Sequence, residues 1–334
     1  MRGAMSTGRA EPTQRLPVRP QGGSDQAVLV LGTAQLGGPY GITNVTGTPD
    51  DRAAARLLRA AADLGVTHLD TARAYGQSEQ RIGTLLRSAG GPALRLITKV
   101  APLEPTPTRD AAAVRAAVER SVNRSVAELD AAAPPTVLLH RARDADAAGG
   151  AGWERLREYA AAGITDRIGV SVQSPAELRA VIGLPDLGYL QLPCNVLDRR
   201  WLTDDVTGLL AGHPDVVVTA RSIYLQGLLA TGGSVRWPYL DDERRDRVLL
   251  TLDRLATELG RAGRTDLCAA YVLSLPWVTS VVVGMETGPQ LRANVQLATA
   301  APLTAAERAR VLDALPAVPV DLLDPSRWAA AWRT

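Results

Sequence analysis

Short apolar runs and longer amphipathic stretches alternate along the chain from residue 26 onward. Eight of the apolar runs are rich in aliphatic or β-branched residues and have the length of strands. These runs are AVLVLG, VTHLD, LRLITKV, TVLLH, RIGVSV, LGYLQL, DVVVTA and VTSVVVG. The stretches between them have helical spacing, as in DDRAAARLLRAAADLG, which begins with aspartates suited to a helix N-cap and ends in glycine. The pattern predicts strands and helices in alternation.

Strands separated by helices imply right-handed crossover units and a parallel sheet. Eight mostly apolar strands favour a closed (β/α)8 TIM barrel over an open sheet. The alternative is a doubly wound dinucleotide-binding sheet, but LGTAQLGGPYG, after the first strand, contains no G-x-G-x-x-G and does not lead straight into a helix. We therefore predict an α/β protein with a single barrel domain over residues 25–315.

The two ends of the chain differ from this pattern. Residues 1–24 are rich in Gly, Pro, Arg and Ser and contain no apolar run, which predicts a disordered N-terminal extension instead of a signal peptide. Residues 316–334 form a C-terminal tail and a candidate lid over the barrel.

Composition narrows the classes of function. The net charge is +2, and residues 1–24 hold four arginines against one glutamate, so the predicted barrel is close to neutral and shows no nucleic-acid-binding surface. Its two cysteines lie far apart, without metal-ligand spacing, which is typical of a reducing cytoplasm. The sequence contains no apolar run of about 18 residues, the length that would predict a membrane span. We expect a cytoplasmic protein that acts on a small molecule; the sequence does not indicate its oligomeric state.

Ionisable residues follow three successive predicted strands. Asp70 ends the second strand, Tyr75 lies in the loop after it, Lys99 ends the third and His140 ends the fourth. Each has a structural explanation when taken alone, but the carboxyl ends of barrel strands meet at one mouth. We expect Asp70 to pair with Lys99, since an unpaired buried lysine is costly. A lysine beside Tyr75 is expected to lower the phenol pKa from about 10 and favour acid catalysis on a carbonyl, which His140 would orient.

The chain resembles the aldo-keto reductase family from about Leu31 to about Ala300. The resemblance is carried, in family order, by LGTAQLG, GVTHLDTARAYGQSEQRIG, ITKV, VLLH, IGVSV, YLQLPCNVLDRR, RSIYLQGLL and VVVGMETGPQLRANV. It implies that Asp70, Tyr75, Lys99 and His140 form a catalytic tetrad with Tyr75 as proton donor. The implied reaction is the NAD(P)H-dependent reduction of a small aldehyde or ketone, such as a sugar-like compound or a secondary metabolite.

The resemblance also implies a site for an extended nicotinamide dinucleotide across the barrel mouth. The implied contacts are Gly32, Thr33, Ala34 and Asp70 beside the nicotinamide; Ser171 and Gln191 at its carboxamide, supported by Asn195; Ser222, Leu225 and Gly227 at the pyrophosphate; and Gly284, Glu286, Thr287, Gln290 and Asn294 at the adenosine end. A helix that begins near Gly288 would offer free N–H groups and a positive dipole end to a phosphate. Tyr40 and Trp237 are candidates for the substrate-binding wall.

Three positions depart from the family pattern. The Ser-Asn pair that binds the carboxamide is Ser171-Val172 here, and Arg221 occupies the place of the aromatic ring that usually stacks on the nicotinamide. Glu286 stands where many members have an arginine for the 2′-phosphate, although Arg292 lies nearby on the predicted helix. The sequence favours NADP(H), with NAD(H) as the alternative.

Two other functions are open at this point. One is an NAD-dependent sugar or lactol dehydrogenase that works mainly in the oxidative direction with the same residues. The other is a catalytically silent barrel that binds a nucleotide in a regulatory role. The complete tetrad argues against the silent barrel, because binding alone gives no reason for Tyr75.

Overall fold

The fold is a closed barrel of eight parallel strands, in which each strand pairs with the next and β1 pairs with β8. The computed structural model describes residues 28–44, 47–88, 94–103, 109–231 and 235–328. The strands are β1 Leu29–Gly32, β2 His68–Asp70, β3 Arg95–Val100, β4 Thr136–Leu139, β5 Ile168–Ser171, β6 Tyr189–Pro193, β7 Val217–Arg221 and β8 Ser280–Gly284. Each overlaps the apolar run that predicted it, so the predicted (β/α)8 fold is confirmed.

Helices connect the strands and cover the outside of the barrel. Within the described residues they are α1 Ala34–Gly37, α2 Asp51–Asp63, α3 Ser78–Ser88, α4 Ala111–Leu129, α5 Ala151–Ala161, α6 Pro175–Val181, α7 Asp204–Ala211, α8 Asp242–Glu258, α9 Arg264–Leu273, α10 Gly288–Thr299 and α11 Ala305–Ala314. The predicted cap is present on α2, where the Asp50 side chain accepts a hydrogen bond from the Ala53 N–H. Its buried residues Ala54, Leu57, Leu58 and Ala61 follow helical spacing and face the strands.

The barrel interior is packed and is not a pore. A small apolar cluster fills its centre, formed by Val30, Ile97, Leu138, Tyr189 and Val217. A much larger apolar cluster lies between the strands and the surrounding helices. The filled centre leaves the carboxyl-end mouth as the place where polar side chains can meet a ligand.

The C-terminal residues pack against the barrel as far as the structure describes them. Leu322, Leu323 and Trp328 are buried, and the Tyr239 hydroxyl donates a hydrogen bond to the Arg327 carbonyl at 2.8 Å. No residue of 316–328 lines the cavity that opens at the carboxyl-end mouth of the barrel. The lid function of 316–334 stays a prediction, and residues 329–334 lie outside the described residues, as does the predicted extension 1–24. In the part of the chain that the structure describes, no helix combines the length and apolarity needed to cross a membrane.

Candidate active site

The period-two alternation of strand side chains explains which residues reach the barrel mouth. Ile97 and Tyr189 belong to the central apolar cluster, so the residues two positions later, Lys99 and Gln191, point inward one layer higher. Arg221, the last residue of β7, is placed in the same way two positions after the inward-facing Thr219, which bonds to the Tyr189 hydroxyl. The sequence therefore delivers polar side chains directly above an apolar floor.

Asp70 and Lys99 form the predicted buried ion pair. Lys99 Nζ lies 2.7 Å and 2.9 Å from the two carboxylate oxygens and donates a third hydrogen bond to the Thr71 carbonyl at 2.8 Å. Gln191 Nε2 donates to Asp70 Oδ2 at 2.7 Å. Burial lowers the pKa of Lys99, and the adjacent Asp70 carboxylate opposes that shift. The carboxylate is thus held by a cation and an amide.

Tyr75 lies above this pair in the loop between β2 and α3. Lys99 Nζ is 5.2 Å from the centroid of its ring, and the His140 ring meets it edge to face at 5.9 Å. The expectation that Lys99 lowers the phenol pKa is wrong: burial raises the pKa of Tyr75, Asp70 raises it further, and the cation that opposes them is Arg221. The physical reason is that a phenolate here would be buried and would face the Asp70 carboxylate, and both disfavour its charged form. The phenol therefore stays protonated at neutral pH, which is the form a proton donor requires.

His140 is a neutral imidazole. Burial lowers the pKa of His140 to about 3, and the charges of Lys99, Arg221 and Arg141 add to the shift. Its Nδ1 is buried without a hydrogen-bond partner. A neutral imidazole carries one N–H donor, so His140 can donate one hydrogen bond to a carbonyl oxygen without a charge of its own.

The loop that carries Tyr75 is held from several sides. The Arg73 backbone N–H donates to the Lys99 carbonyl at 3.1 Å, and the Arg73 side chain pairs with Glu79 and with Glu128. Gly37, at the end of α1, has no room for a side chain, because a Cβ there would overlap the carbonyl oxygen of Tyr75. The position of the phenol is therefore fixed by backbone contacts as well as by the ion pair.

A cavity of about 420 Å³ extends from the ion pair towards α10. Many residues of the expected cofactor and substrate sites line it: Gly32, Thr33, Ala34, Tyr40, Asp70, Tyr75, Gln191, Ser222, Gly227, Gly284, Glu286, Gln290 and Asn294. Other expected residues are absent from its wall: Lys99, His140, Ser171, Asn195, Leu225, Thr287 and Trp237. Lys99 lies beneath Asp70, while Ser171, Asn195, Leu225 and Trp237 are buried in their own surroundings.

Sequence reasoning missed several lining residues, of which Gln35 and Tyr224 are the clearest. Gln35 is buried, and its Oε1 has no hydrogen-bond partner. Its side chain packs so closely on Gly284 that a Cβ there would overlap it. The Tyr224 hydroxyl donates to Asn294 Oδ1 at 3.1 Å and joins the loop after β7 to α10. The sequence signal that could have identified Gln35 is its polar side chain within the glycine-rich segment that follows β1.

The loop after β7 has an unusual backbone. Ser222, Leu225 and Gln226 have φ values of 59°, 48° and 53°, and Gly227 has 95°. Left-handed conformations cost non-glycine residues roughly 1 to 3 kcal/mol each and cluster at ligand-binding sites. Thr43 Oγ1 donates to the Gln226 carbonyl at 3.3 Å and lies so close to Gly227 that no side chain fits there. The loop and the segment around Thr43 therefore meet across the cavity.

The start of α10 is capped by its own side chains. Thr287 and Gln290 form a reciprocal capping box, and Gln290 Oε1 also accepts from the Glu286 N–H at 2.8 Å. Gln290 Nε2 donates to Glu286 Oε2 at 3.1 Å. Arg292 Nη1 lies 3.4 Å from the position of a Cβ on Gly288, which places its guanidinium beside the helix N-terminus. The N-terminus of α10 therefore has a cation beside its dipole, the arrangement that binds phosphate, although Arg292 is exposed and does not line the cavity.

A nicotinamide dinucleotide is consistent with the residues present. The cavity volume falls within the usual range for small-molecule sites. The orphaned Gln35 Oε1 is a buried acceptor suited to a ligand N–H or hydroxyl. Across residues 28–44, 47–88, 94–103, 109–231 and 235–328, no group of three or more His, Cys, Asp or Glu side chains could hold a metal ion.

Comparisons with known proteins agree with this geometry. The model of the Aldo/keto reductase family matches residues 28–315. The aldo-keto reductase AKR11C1 from Bacillus halodurans, in its holo form, is 24% identical with a TM-score of 0.74, over 93% of this chain and 100% of that one. The glycerol dehydrogenase AKR11B4 from Gluconobacter oxydans is 22% identical with a TM-score of 0.68, over 89% of this chain and 94% of that one. Identities this low show the fold alone, and a comparison with curated protein sequences finds no match.

Proposed function

The chain belongs to the aldo/keto reductase family, and on that premise we propose that it reduces an aldehyde or a ketone to an alcohol with Tyr75 as the proton donor. Membership makes the protein a nicotinamide-dependent oxidoreductase. The observation that carries the finer proposal is the position of a protonated phenol above the buried Asp70–Lys99 pair at one end of the cavity. Two free, buried cysteines are compatible with a cytoplasmic site of action.

The proposed reaction assigns a separate task to each residue. The reduced nicotinamide, when bound, supplies a hydride to the carbonyl carbon. Tyr75 donates its phenolic proton to the carbonyl oxygen, and neutral His140 donates a hydrogen bond to the same oxygen. Lys99 and Asp70 hold the ring from below, and the loop contacts of Arg73 and Gly37 fix its height. Oxidation of an alcohol or lactol would use the same groups in reverse.

Removal of the Tyr75 hydroxyl tests the assignment. Tyr75→Phe keeps the ring, so we expect the Kd for the reduced cofactor to change little while kcat falls by about 10² or more, the scale of a lost general acid. Tyr159→Phe is the matched control, because it removes a hydroxyl that bonds Asn123 at 2.8 Å on the outside of the barrel. Cofactor binding by fluorescence and turnover on a panel of aldehydes, ketones and sugars are the measurements. Turnover in Tyr75→Phe comparable to that in Tyr159→Phe would contradict the role of Tyr75.

We further propose NADP(H) as the cofactor. The N-terminus of α10 and the Arg292 guanidinium beside it could both stabilise a 2′-phosphate, whereas Glu286 is held by Gln290 at the cavity edge. The test is the Kd of NADPH and of NADH in the wild type, in Glu286→Arg and in Arg292→Gln. We expect tighter NADPH binding in the wild type, a larger preference in Glu286→Arg, and a loss of up to about fivefold in Arg292→Gln, the scale of an exposed ionic contact. Tighter NADH binding in the wild type would indicate an NAD-dependent enzyme.

A further inference from the structure

Arg221 brings a guanidinium to the catalytic end of the cavity. It is the last residue of β7 and lines the cavity together with Asp70, Tyr75 and Gln191. Its Nη2 donates to Gln173 Oε1 at 2.6 Å and lies 3.4 Å from the Val172 carbonyl oxygen. One edge of the planar group is therefore fixed by neutral acceptors.

Its positive charge has no counter-ion within the described residues. The carboxylates that line the cavity are Asp70 and Glu286. Asp70 is engaged by Lys99 and Gln191, and Glu286 accepts from Gln290 beside α10. A half-buried guanidinium without a carboxylate partner is costly to maintain, and a ligand anion would remove that cost.

The charge acts on the catalytic residues. Arg221 lowers the pKa of Tyr75, of His140 and of Lys99. These three residues surround the place where the carbonyl would react, whereas the residues proposed for the 2′-phosphate lie at α10 and those implied for the pyrophosphate begin at Ser222, in the loop that leads away from the strand end. The action of Arg221 on all three of these residues favours the substrate as its partner, and the cofactor Kd of the Arg221 variants tests the pyrophosphate as the alternative.

We propose that Arg221 binds a carboxylate on the substrate. The enzyme would then prefer carbonyl substrates that carry a carboxylate, such as oxo acids and sugar acids, to their neutral analogues. The inference rests on the proposed carbonyl reduction. A guanidinium offers two parallel N–H donors that match the two oxygens of a carboxylate. Its anchoring by Gln173 reduces the side-chain entropy lost on binding.

Paired substrates test this preference. Succinic semialdehyde and butanal have four carbons each and differ in a terminal carboxylate, as glucuronate and glucose differ in their final carbon. We expect the wild type to favour the acid of each pair by about 10- to 100-fold in kcat/KM, the scale of a charge-assisted hydrogen bond. Arg221→Gln should abolish that preference mainly through KM, and Arg221→Lys should keep part of it.

One further variant tests whether the preference depends on the uncompensated charge of Arg221, and a second variant is its control. Gln173→Glu places a carboxylate at the acceptor 2.6 Å from Arg221, so it should remove the preference although the arginine remains. Arg179→Gln removes a cation that pairs with Asp205 on the outside of the barrel, and it should leave the preference unchanged. The Kd for the reduced cofactor should stay within about twofold in Arg179→Gln, and it is measured for every variant because Arg221 stands at the position of the nicotinamide-stacking ring.

Several results would overturn the inference: no preference for the acids, a preference that survives Arg221→Gln, or stronger reduction of a phosphorylated aldehyde than of the carboxylate. A loss of cofactor affinity in Arg221→Gln without a change in preference would instead assign the residue to the cofactor. Reduction of the neutral aldehydes alone would leave the proposed function intact and overturn only the inference. If no carbonyl compound is reduced, the proposed function fails, and calorimetric titration with 4-hydroxybutyrate against butanol still decides whether Arg221 binds a carboxylate.

Discussion

The Asp70–Lys99 pair can be tested by a double-mutant cycle. The two side chains are 4% and 1% exposed, and the ammonium lies 2.7 Å and 2.9 Å from the carboxylate oxygens. The cycle consists of Lys99→Met, Asp70→Asn and the double variant. Each single change leaves the other partner buried without its counter-charge, and Lys99→Met also removes the donor to the Thr71 carbonyl.

The geometry sets the expected magnitude. Removal of one partner of a buried pair costs about 3 to 5 kcal/mol of unfolding free energy, because the remaining charge is uncompensated. The loss of unfolding free energy in Lys99→Met should lie at the lower end of that range, since Gln191 still donates a hydrogen bond to Asp70. The double variant leaves no uncompensated charge and should be more stable than the sum of the single losses predicts. We expect a coupling free energy of about 2 to 3 kcal/mol.

Urea denaturation at neutral pH measures the four unfolding free energies. The matched control is the same cycle on Arg115 and Glu158, whose atoms also approach to 2.7 Å but whose side chains are 37% and 48% exposed. That pair should couple by less than about 1 kcal/mol. A coupling of the Asp70–Lys99 pair as small as that of the control would refute the argument that burial makes each charge depend on the other.

Two further predictions follow from the same geometry. Gly37→Ala should lower kcat, because the added Cβ would overlap the Tyr75 carbonyl oxygen. Gly38→Ala is the control, since a Cβ there has open space and kcat should match that of the wild type. Equal kcat in the two variants would contradict the steric argument. His140 has an ordinary pKa of 6.5 and a pKa of about 3 in the folded state. Between these two pH values the unfolded state binds more protons than the folded state. The free energy of unfolding should therefore decrease as the pH falls from 6.5 towards 3, by on the order of 4 kcal/mol in total. Urea denaturation across that range should show a weaker pH dependence for His140→Gln, and parallel curves would show that the imidazole is solvated in the fold.

The sequence predicted the fold because its information is local and periodic. An apolar run of strand length recurs eight times, and the carboxyl ends of barrel strands meet at one mouth, so the positions of Asp70 and Lys99 at the ends of two successive strands predicted their ion pair. The helix cap at Asp50 follows from the same local chemistry. The resemblance added expected cofactor contacts that alternation alone does not identify, such as Asn294 on α10, which lines the cavity.

Quantities that depend on three-dimensional surroundings were not predictable in this way. The pKa of Tyr75 was expected to fall because Lys99 is near, but burial and Asp70 outweigh the lysine. Trp237 was a candidate for the substrate wall because it lies in a loop expected to shape the pocket, yet its side chain is 1% exposed and lies outside the cavity wall. Spacing in the sequence does not show how deeply a side chain is buried. It also does not show which charges are left without a counter-ion once neighbouring residues have formed ion pairs.

That remaining charge distinguishes the two cations at the barrel mouth. Asp70 offsets the charge of Lys99 at Tyr75, where burial and the aspartate raise the phenol pKa, so the lysine gives an anion near Tyr75 no net positive field. Arg221 has only neutral acceptors, and a unit charge 4 Å from an anion is worth about 4 kcal/mol at the effective dielectric constant of a protein surface. The lysine thus holds the proton donor in place, while the arginine, which the sequence showed only as a departure from the family pattern, supplies the field that an anionic substrate would experience.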